Sequence, residues 1–180
     1  LQMLLPKFPK EISFGILIVQ HMPHGFTGPL AKRLNGICNI RVKEAEEGDI
    51  VESGLALVAP SGLHMTVEQV KSEKLKVKNC QMRIKLDVEP MNAIHRPSVD
   101  VLFQSVAENY GSRSIGVILT GMGSDGAKGI KSIKEKGGGT FAQDEATSTI
   151  FGMPRVAIEG GGVNRIAPIT SMADEIMKAV

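Results

Sequence analysis

Two apolar runs of strand length set the terms for any fold this chain can adopt: Phe14-Gly15-Ile16-Leu17-Ile18-Val19-Gln20 and Ser114-Ile115-Gly116-Val117-Ile118-Leu119-Thr120. Neither alternates apolar with polar residues, so each reads as a buried parallel strand covered on both faces. Each is followed by a glycine-bearing loop and then by apolar residues at helical spacing: Leu30, Leu34 and Ile37 after the first, Ala127, Ile130 and Ile133 after the second. Pro97 opens another amphipathic helix with Val99, Leu102, Phe103 and Val106 on one face, ending near Gly111. Residues 139–143 read as a short strand, and residues 172–180 as a closing helix. Residues 40–86 break the pattern, with short apolar stretches between Gly, Ser and Asn, and read as a hairpin-rich insertion. The expected fold is α/β: a doubly wound, mainly parallel sheet flanked by helices, with a β-hairpin excursion in the middle, in a single domain.

Bulk properties narrow the function. The chain has 180 residues, 21 Lys+Arg against 19 Asp+Glu, and 42% hydrophobic residues. That balance is globular, and a chain this long buries about 70% of its unfolded surface without help from disulfides or metal. Cys38 and Cys80 are expected to be plain thiols, and no Cys/His cluster suggests a zinc site. Apolar runs such as residues 16–19 are far below the roughly 20 residues of a membrane helix, so no membrane insertion and a cytoplasmic setting are expected. A net charge of +2, six Phe, one Tyr and no Trp argue against nucleic acid as a partner. The local exception is the basic stretch around Lys74-Leu75-Lys76-Val77-Lys78, whose period of two reads as the solvated side of an edge strand.

In open α/β sheets, ligands bind beyond the carboxyl ends of the strands. Two polar groups stand there: His21 after the first run, and the loop Gly121-Met122-Gly123-Ser124-Asp125-Gly126 after the second. A His and an Asp on two strand ends can share a crevice as a base and its orienting carboxylate. Plainer readings compete. His21 can be a strand-end histidine satisfied by backbone, and Asp125 the N-cap of the helix that follows it. His21 and His24 form an H-x-x-H pair, but Pro23 forbids a regular helix between them and no third ligand is evident. His64 follows a turn and His95 precedes Arg96-Pro97, so loop polarity accounts for both. The glycine loop also matches G-x-G-x-x-G through Gly121, Gly123 and Gly126, with Asp144 placed to bind a ribose, which makes a dinucleotide-binding domain the alternative function.

Several blocks together resemble the catalytic domain of CheB-type chemotaxis methylesterases: Gln20-His21-Met22-Pro23 with Gly25-Phe26-Thr27, His95-Arg96-Pro97-Ser98-Val99-Asp100-Val101-Leu102-Phe103, Leu119-Thr120-Gly121-Met122-Gly123 with Asp125-Gly126-Ala127, Ala142-Gln143-Asp144-Glu145-Ala146, and Phe151-Gly152-Met153-Pro154. The resemblance implies a protein-glutamate methylesterase acting on glutamyl γ-esters of chemoreceptor cytoplasmic domains, able also to deamidate certain glutamines, with no cofactor and no metal. It places the family's catalytic His on His21, its triad Asp on Asp125, and an oxyanion-hole N–H on Met122. His24 stands where many relatives carry Pro.

The same resemblance leaves the nucleophile unaccounted for. The family's serine lies in a Gly-rich turn upstream of the His, whereas this chain opens on Leu1-Gln2-Met3-Leu4-Leu5, which is similar to the helix after that turn. Neither Ser98 nor Ser124 sits in a nucleophile elbow. Residues 1–180 are therefore expected to lack the first strand and the serine upstream of Leu1, as well as the receiver domain that, with its histidine kinase, regulates full-length relatives. Such a chain is expected to be inactive alone, and a non-catalytic receptor-docking module is a further alternative. His21→Ala and Asp125→Ala are both expected to leave folding nearly unchanged.

Overall fold

The computed structural model describes residues 1–70 and 81–180. A helical turn from Leu1 runs into a one-turn 3-10 helix, Leu5–Lys7, and then β1 (Ile16–Ile18), α1 (Thr27–Asn35), β2 (Arg41–Glu44) and β3 (Leu55–Val58) follow. The hairpin strands β4 (His64–Gln69) and β5 (Met82–Asp87) come next, then α2 (Val99–Tyr110), β6 (Ile115–Ile118) and α3 (Ala127–Glu135). The chain ends with β7 (Gly139–Gln143), α4 (Met153–Glu159), β8 (Arg165–Ala167) and α5 (Met172–Met177).

Two parallel three-stranded sheets carry the fold, ordered β1-β3-β2 and β6-β7-β8, with β4 and β5 pairing antiparallel beside them. Ile16 pairs with Ala56 and Ile18 with Val58, while Val117 pairs with Phe141 and Ala142 with Ile166. In β3, Leu-Ala-Leu-Val is buried throughout, as a central strand covered on both faces must be. In β5, Met82 and Ile84 are buried while Arg83 and Lys85 are exposed, the alternation of a sheet wet on one side. One core holds residues of both parallel sheets, Ile18, Val58, Phe141 and Ala167, together with Leu34 of α1 and Met172 of α5. The halves therefore form a single domain.

The α/β architecture is the expected one, with corrections. The hairpin excursion is narrower than residues 40–86: β3 pairs parallel with both β1 and β2 in one three-stranded sheet, and only β4 and β5 form a hairpin. Two elements have no counterpart in the sequence reading. Helix α4 has seven residues and β8 three, two of them exposed, so neither is long enough to show a period. Strand β1 is only partly buried, with Ile16 and Leu17 half-exposed. The lysine run at 74–78 and Cys80 lie outside the described residues. Cys38 is a half-buried free thiol. Among the described residues no helix is long and apolar enough to cross a membrane.

Glycine decides how the helices sit. Gly129 of α3 lies so close to α2 that an added Cβ would stand 3.0 Å from the Asp100 carbonyl oxygen, and its N–H donates to Asp100 Oδ1 at 2.7 Å. Helix α2 is thereby pressed onto α3, with its N-terminus over the loop that carries Asp125.

Candidate active site

His21 follows β1, and Asp125 lies between β6 and α3. Although 104 residues separate them in the chain, His21 Nε2 and Asp125 Oδ2 are 2.8 Å apart. The carboxylate takes three more hydrogen bonds. The Val99 N–H donates to Oδ2 at 2.7 Å, the Ser98 hydroxyl to Oδ1 at 2.8 Å, and the Asp100 N–H to Oδ1 at 3.1 Å.

Val99 and Asp100 open α2. The amides of a helix's first turn have no intrahelical partner and carry the positive end of its dipole, so a carboxylate there is strongly held. Asp125 thus does cap a helix, as the plainer sequence reading required, but the helix is α2 and not its own. Helix α3 instead has Gly126 as its N-cap, whose φ of +94° is left-handed. A Cβ on Gly126 would sit 2.7 Å from Val99 Cγ1, so this residue also lets the loop approach α2. Burial by itself would raise the Asp125 pKa. The donors from His21, Val99, Asp100 and Ser98 override it and hold the carboxyl well below the usual carboxylate range.

An ionised Asp125 accepts from Nε2–H, so the neutral His21 imidazole carries its proton on Nε2 and leaves the Nδ1 lone pair free. Among the described residues no serine hydroxyl lies within hydrogen-bond distance of His21. Ser98 is 5% exposed and committed to Asp125 and to the Val101 N–H, so it is a cap and not a nucleophile.

Met122 is 78% exposed at the tip of the glycine loop, and its N–H makes no hydrogen bond among the described residues. The loop beneath it is clamped: Gly121 N–H donates to Ile150 O, and Gly121 O accepts from the Gly152 and Met153 amides. Gly121 faces the Met153 sulfur and Gly126 faces Val99, which leaves only Gly123 of the three motif glycines bordering open space. Asp144 binds the amide and hydroxyl of Thr147. The features that favoured a dinucleotide are thus occupied by local packing and turn formation.

The other histidines also resolve. His24 Nδ1 lies 3.2 Å from the Ser61 carbonyl oxygen. His64 is not a loop residue but starts β4 fully buried, and its Nδ1 accepts the Ser98 N–H at 3.3 Å. Burial, reinforced by the Arg96 cation, pushes its pKa down and keeps it neutral. His95 stacks on His21 with ring centroids 4.3 Å apart and planes 25° from parallel. Ser98, recognisable in the sequence only as a helix start, and His95 were not assigned to the site, because a partner from a distant loop leaves no local pattern.

Between β1 and β6 runs a groove of about 1330 Å³ with Ile16, Ile18, Ile115, Val117 and Leu119 among its walls and His21 and Met122 at one end. The strand edges along it are unpaired among the described residues, since β1 bonds only to β3 and β6 only to β7.

Fold and site together define an α/β domain that presents a hydrogen-bonded His–Asp pair beyond the carboxyl ends of parallel strands. The profile of a family described as CheB methylesterase matches residues 1–176, and the chain belongs to that family. It is 37% identical to the Thermotoga maritima CheB methylesterase catalytic domain, with a TM-score of 0.91, covering 99% of this chain and 90% of that one. It is also similar to two curated proteins named protein-glutamate methylesterase/protein-glutamine glutaminase. The one from Pyrococcus horikoshii is 48% identical over 177 residues, covering 98% of this chain and 46% of that protein. The one from Nitratidesulfovibrio vulgaris, numbered 2 in its name, is 44% identical over 179 residues, covering 99% of this chain and 47% of that protein. The chain therefore spans about half the length of these curated relatives.

Proposed function

We propose that this chain supplies the general base, its orienting carboxylate and an oxyanion N–H to a protein-glutamate methylesterase/glutaminase. The observation that carries this reading is the hydrogen bond from His21 to an Asp125 whose charge is locked by three further donors. The substrates are glutamyl γ-methyl esters, and certain glutamines, of chemoreceptor cytoplasmic domains, in a cytoplasmic signalling setting.

The nucleophile is a serine on an extended segment that lies outside residues 1–180 and seats in the groove between β1 and β6. Two apolar strand edges with free N–H and C=O groups are what a strand entering between them needs on either side. Its carboxyl end then arrives beside His21 and Met122.

The serine hydroxyl attacks the ester carbonyl as His21 Nδ1 takes its proton. Asp125 holds the tautomer and steadies the imidazolium, while the Met122 N–H donates to the oxyanion, a contact worth about 3 to 4 kcal/mol in such sites. Collapse expels methanol, which leaves with the proton from Nδ1, and an acyl-enzyme remains. Water, deprotonated by the same nitrogen, attacks the acyl carbon, and the serine oxygen departs as its proton returns, releasing the glutamate side chain. With a glutamine the first leaving group is ammonia. No step requires a metal or an organic cofactor.

The test is methanol release from methylated receptor. The intact enzyme carrying both the upstream serine and residues 1–180 should turn over, and His21→Ala should lower kcat on the order of 10⁶-fold with the fold intact. Residues 1–180 alone should release none. Turnover by the isolated chain would place the nucleophile elsewhere, and full activity of His21→Ala would remove His21 as base. Receptor binding without turnover by the intact enzyme would favour a docking module.

A further inference from the structure

One neighbour of His21 has no part in the chemistry above. His95 lies face to face with the imidazole at 4.3 Å, on a different loop from either member of the pair. We infer that His95 is a positioning residue that fixes the rotation of the His21 ring and so aims Nδ1 at the nucleophile. The inference rests on the assignment of His21 as the base.

The argument is geometric. The His21 ring is tethered at Cγ by its own side chain and at Nε2 by the 2.8 Å hydrogen bond to Asp125. These two atoms stand on opposite sides of a five-membered ring, so the line through them is an axis. Turning the ring about that axis hardly disturbs the hydrogen bond. Nδ1 lies off the axis and swings as the ring turns. The carboxylate therefore fixes the tautomer and anchors one point, but leaves open the direction in which the lone pair looks. A flat group laid on one face of the ring removes that freedom, and the 25° interplanar angle makes His95 such a group.

His95 is itself well founded. The next residue, Arg96, accepts the Gly62 N–H through its carbonyl at 3.2 Å. Two residues further, the Ser98 N–H donates to the buried His64 at 3.3 Å. Residues 95–100 thus act on both members of the pair, through the His95 ring on the imidazole and through the Ser98 hydroxyl with the Val99 and Asp100 amides on the carboxylate. What His95 needs for this role is a flat face, with neither a charge nor a hydrogen bond.

Two substitutions separate the flat face from the imidazole chemistry. In the intact enzyme, His95→Ala should lower kcat for ester hydrolysis about ten- to a hundredfold, the scale on which small misplacements of a reacting group act. KM should stay within about twofold, since the loss is in the transition state. His95→Phe should restore most of kcat. In residues 1–180, imidazole nitrogen and proton spectra should show His21 in one orientation for the parent and His95→Phe. His95→Ala should show ring averaging with the Nε2–H bond to Asp125 retained. Parental kcat in His95→Ala, or a His95→Phe enzyme as slow as His95→Ala, would overturn the inference. An inactive His21→Ala beside a fully active His95→Ala would sink it while leaving the base assignment standing, whereas an active His21→Ala would sink both.

Discussion

Asp125 has a side chain 8% exposed and takes four hydrogen bonds on its two oxygens, whereas His21, 27% exposed, has one hydrogen bond and one stacked ring. Asp125 belongs to the β6-β7-β8 half, where α2 and α3 close over the loop. His21 belongs to the β1-β3-β2 half, on a loop bordering the groove. The contrast fits the division of labour in acid–base catalysis. A carboxylate that is prearranged costs no reorganisation during the reaction, while the base must keep one nitrogen accessible to nucleophile, leaving group and water. It also means that Asp125 is a structural residue in a way His21 is not, so alanine should be tolerated better at His21 than at Asp125.

Removing the Asp125 side chain should therefore have the largest effect on stability. Asp125→Ala strands the Ser98 hydroxyl and the first two amides of α2 and should cost about 3 to 5 kcal/mol, at about 1 to 3 kcal/mol for each buried donor left unpaired, against about 1 kcal/mol or less for His21→Ala, with its single partly exposed hydrogen bond. Urea denaturation of both variants checks the order, and a His21 variant as unstable as the Asp125 variant would break the comparison.

Gly126→Ala comes next. It combines a left-handed backbone with a Cβ 2.7 Å from Val99 Cγ1, and should cost about 2 to 3 kcal/mol from the conformational penalty and the crowding. Because it pushes the start of α2 off Asp125, kcat should fall along with the urea midpoint. Loss of stability with unchanged kcat would show that the cradle tolerates the shift.

Acid should remove part of what alanine removes. The Asp125 carboxyl is held below its unfolded value of about 3.9, so its stabilisation is fully present above that pH and is lost as pH falls through the lower folded value. Comparing urea midpoints at pH 6 and pH 3, Asp125→Asn should be less stable than the parent at pH 6 and lose less on acidification. Parallel losses in the two proteins would mean that other carboxylates govern the acid limb.

Ser98→Ala should cost less than Gly126→Ala, about 1 to 2 kcal/mol, from the lost α2 cap and one donor to Asp125. Its thermal midpoint should lie between those of the parent and Asp125→Ala.

Much of the scaffold was legible in the amino-acid sequence. β6, α2, α3 and β7 match their expected positions, α2 and α3 because each is long enough to show a period and β6 because it lies in an unbroken apolar run, and Ser98 and Gly111 punctuate α2 as N-cap and C-cap residues should. β2 and β3 were misplaced into a hairpin because a four-residue strand does not reveal whether its partner runs parallel or antiparallel. The site divides along the same line. His21, Asp125 and Met122 stand out because strand ends and glycine loops mark where an α/β fold can place chemistry, and recurring residue blocks sharpened that to a family.

Their partners are another matter. That Asp125 caps α2 and not α3, that His64 is buried behind Ser98, and that His95 lies on His21 all depend on contacts between segments distant in the chain. Local composition determines which strands and helices form, since propensity and periodicity act over a few residues. Which amide meets which carboxylate is decided only when α2 closes on α3 across Gly129, because hydrogen bonds and ring contacts act over a few ångströms and depend on tertiary packing to bring their partners together.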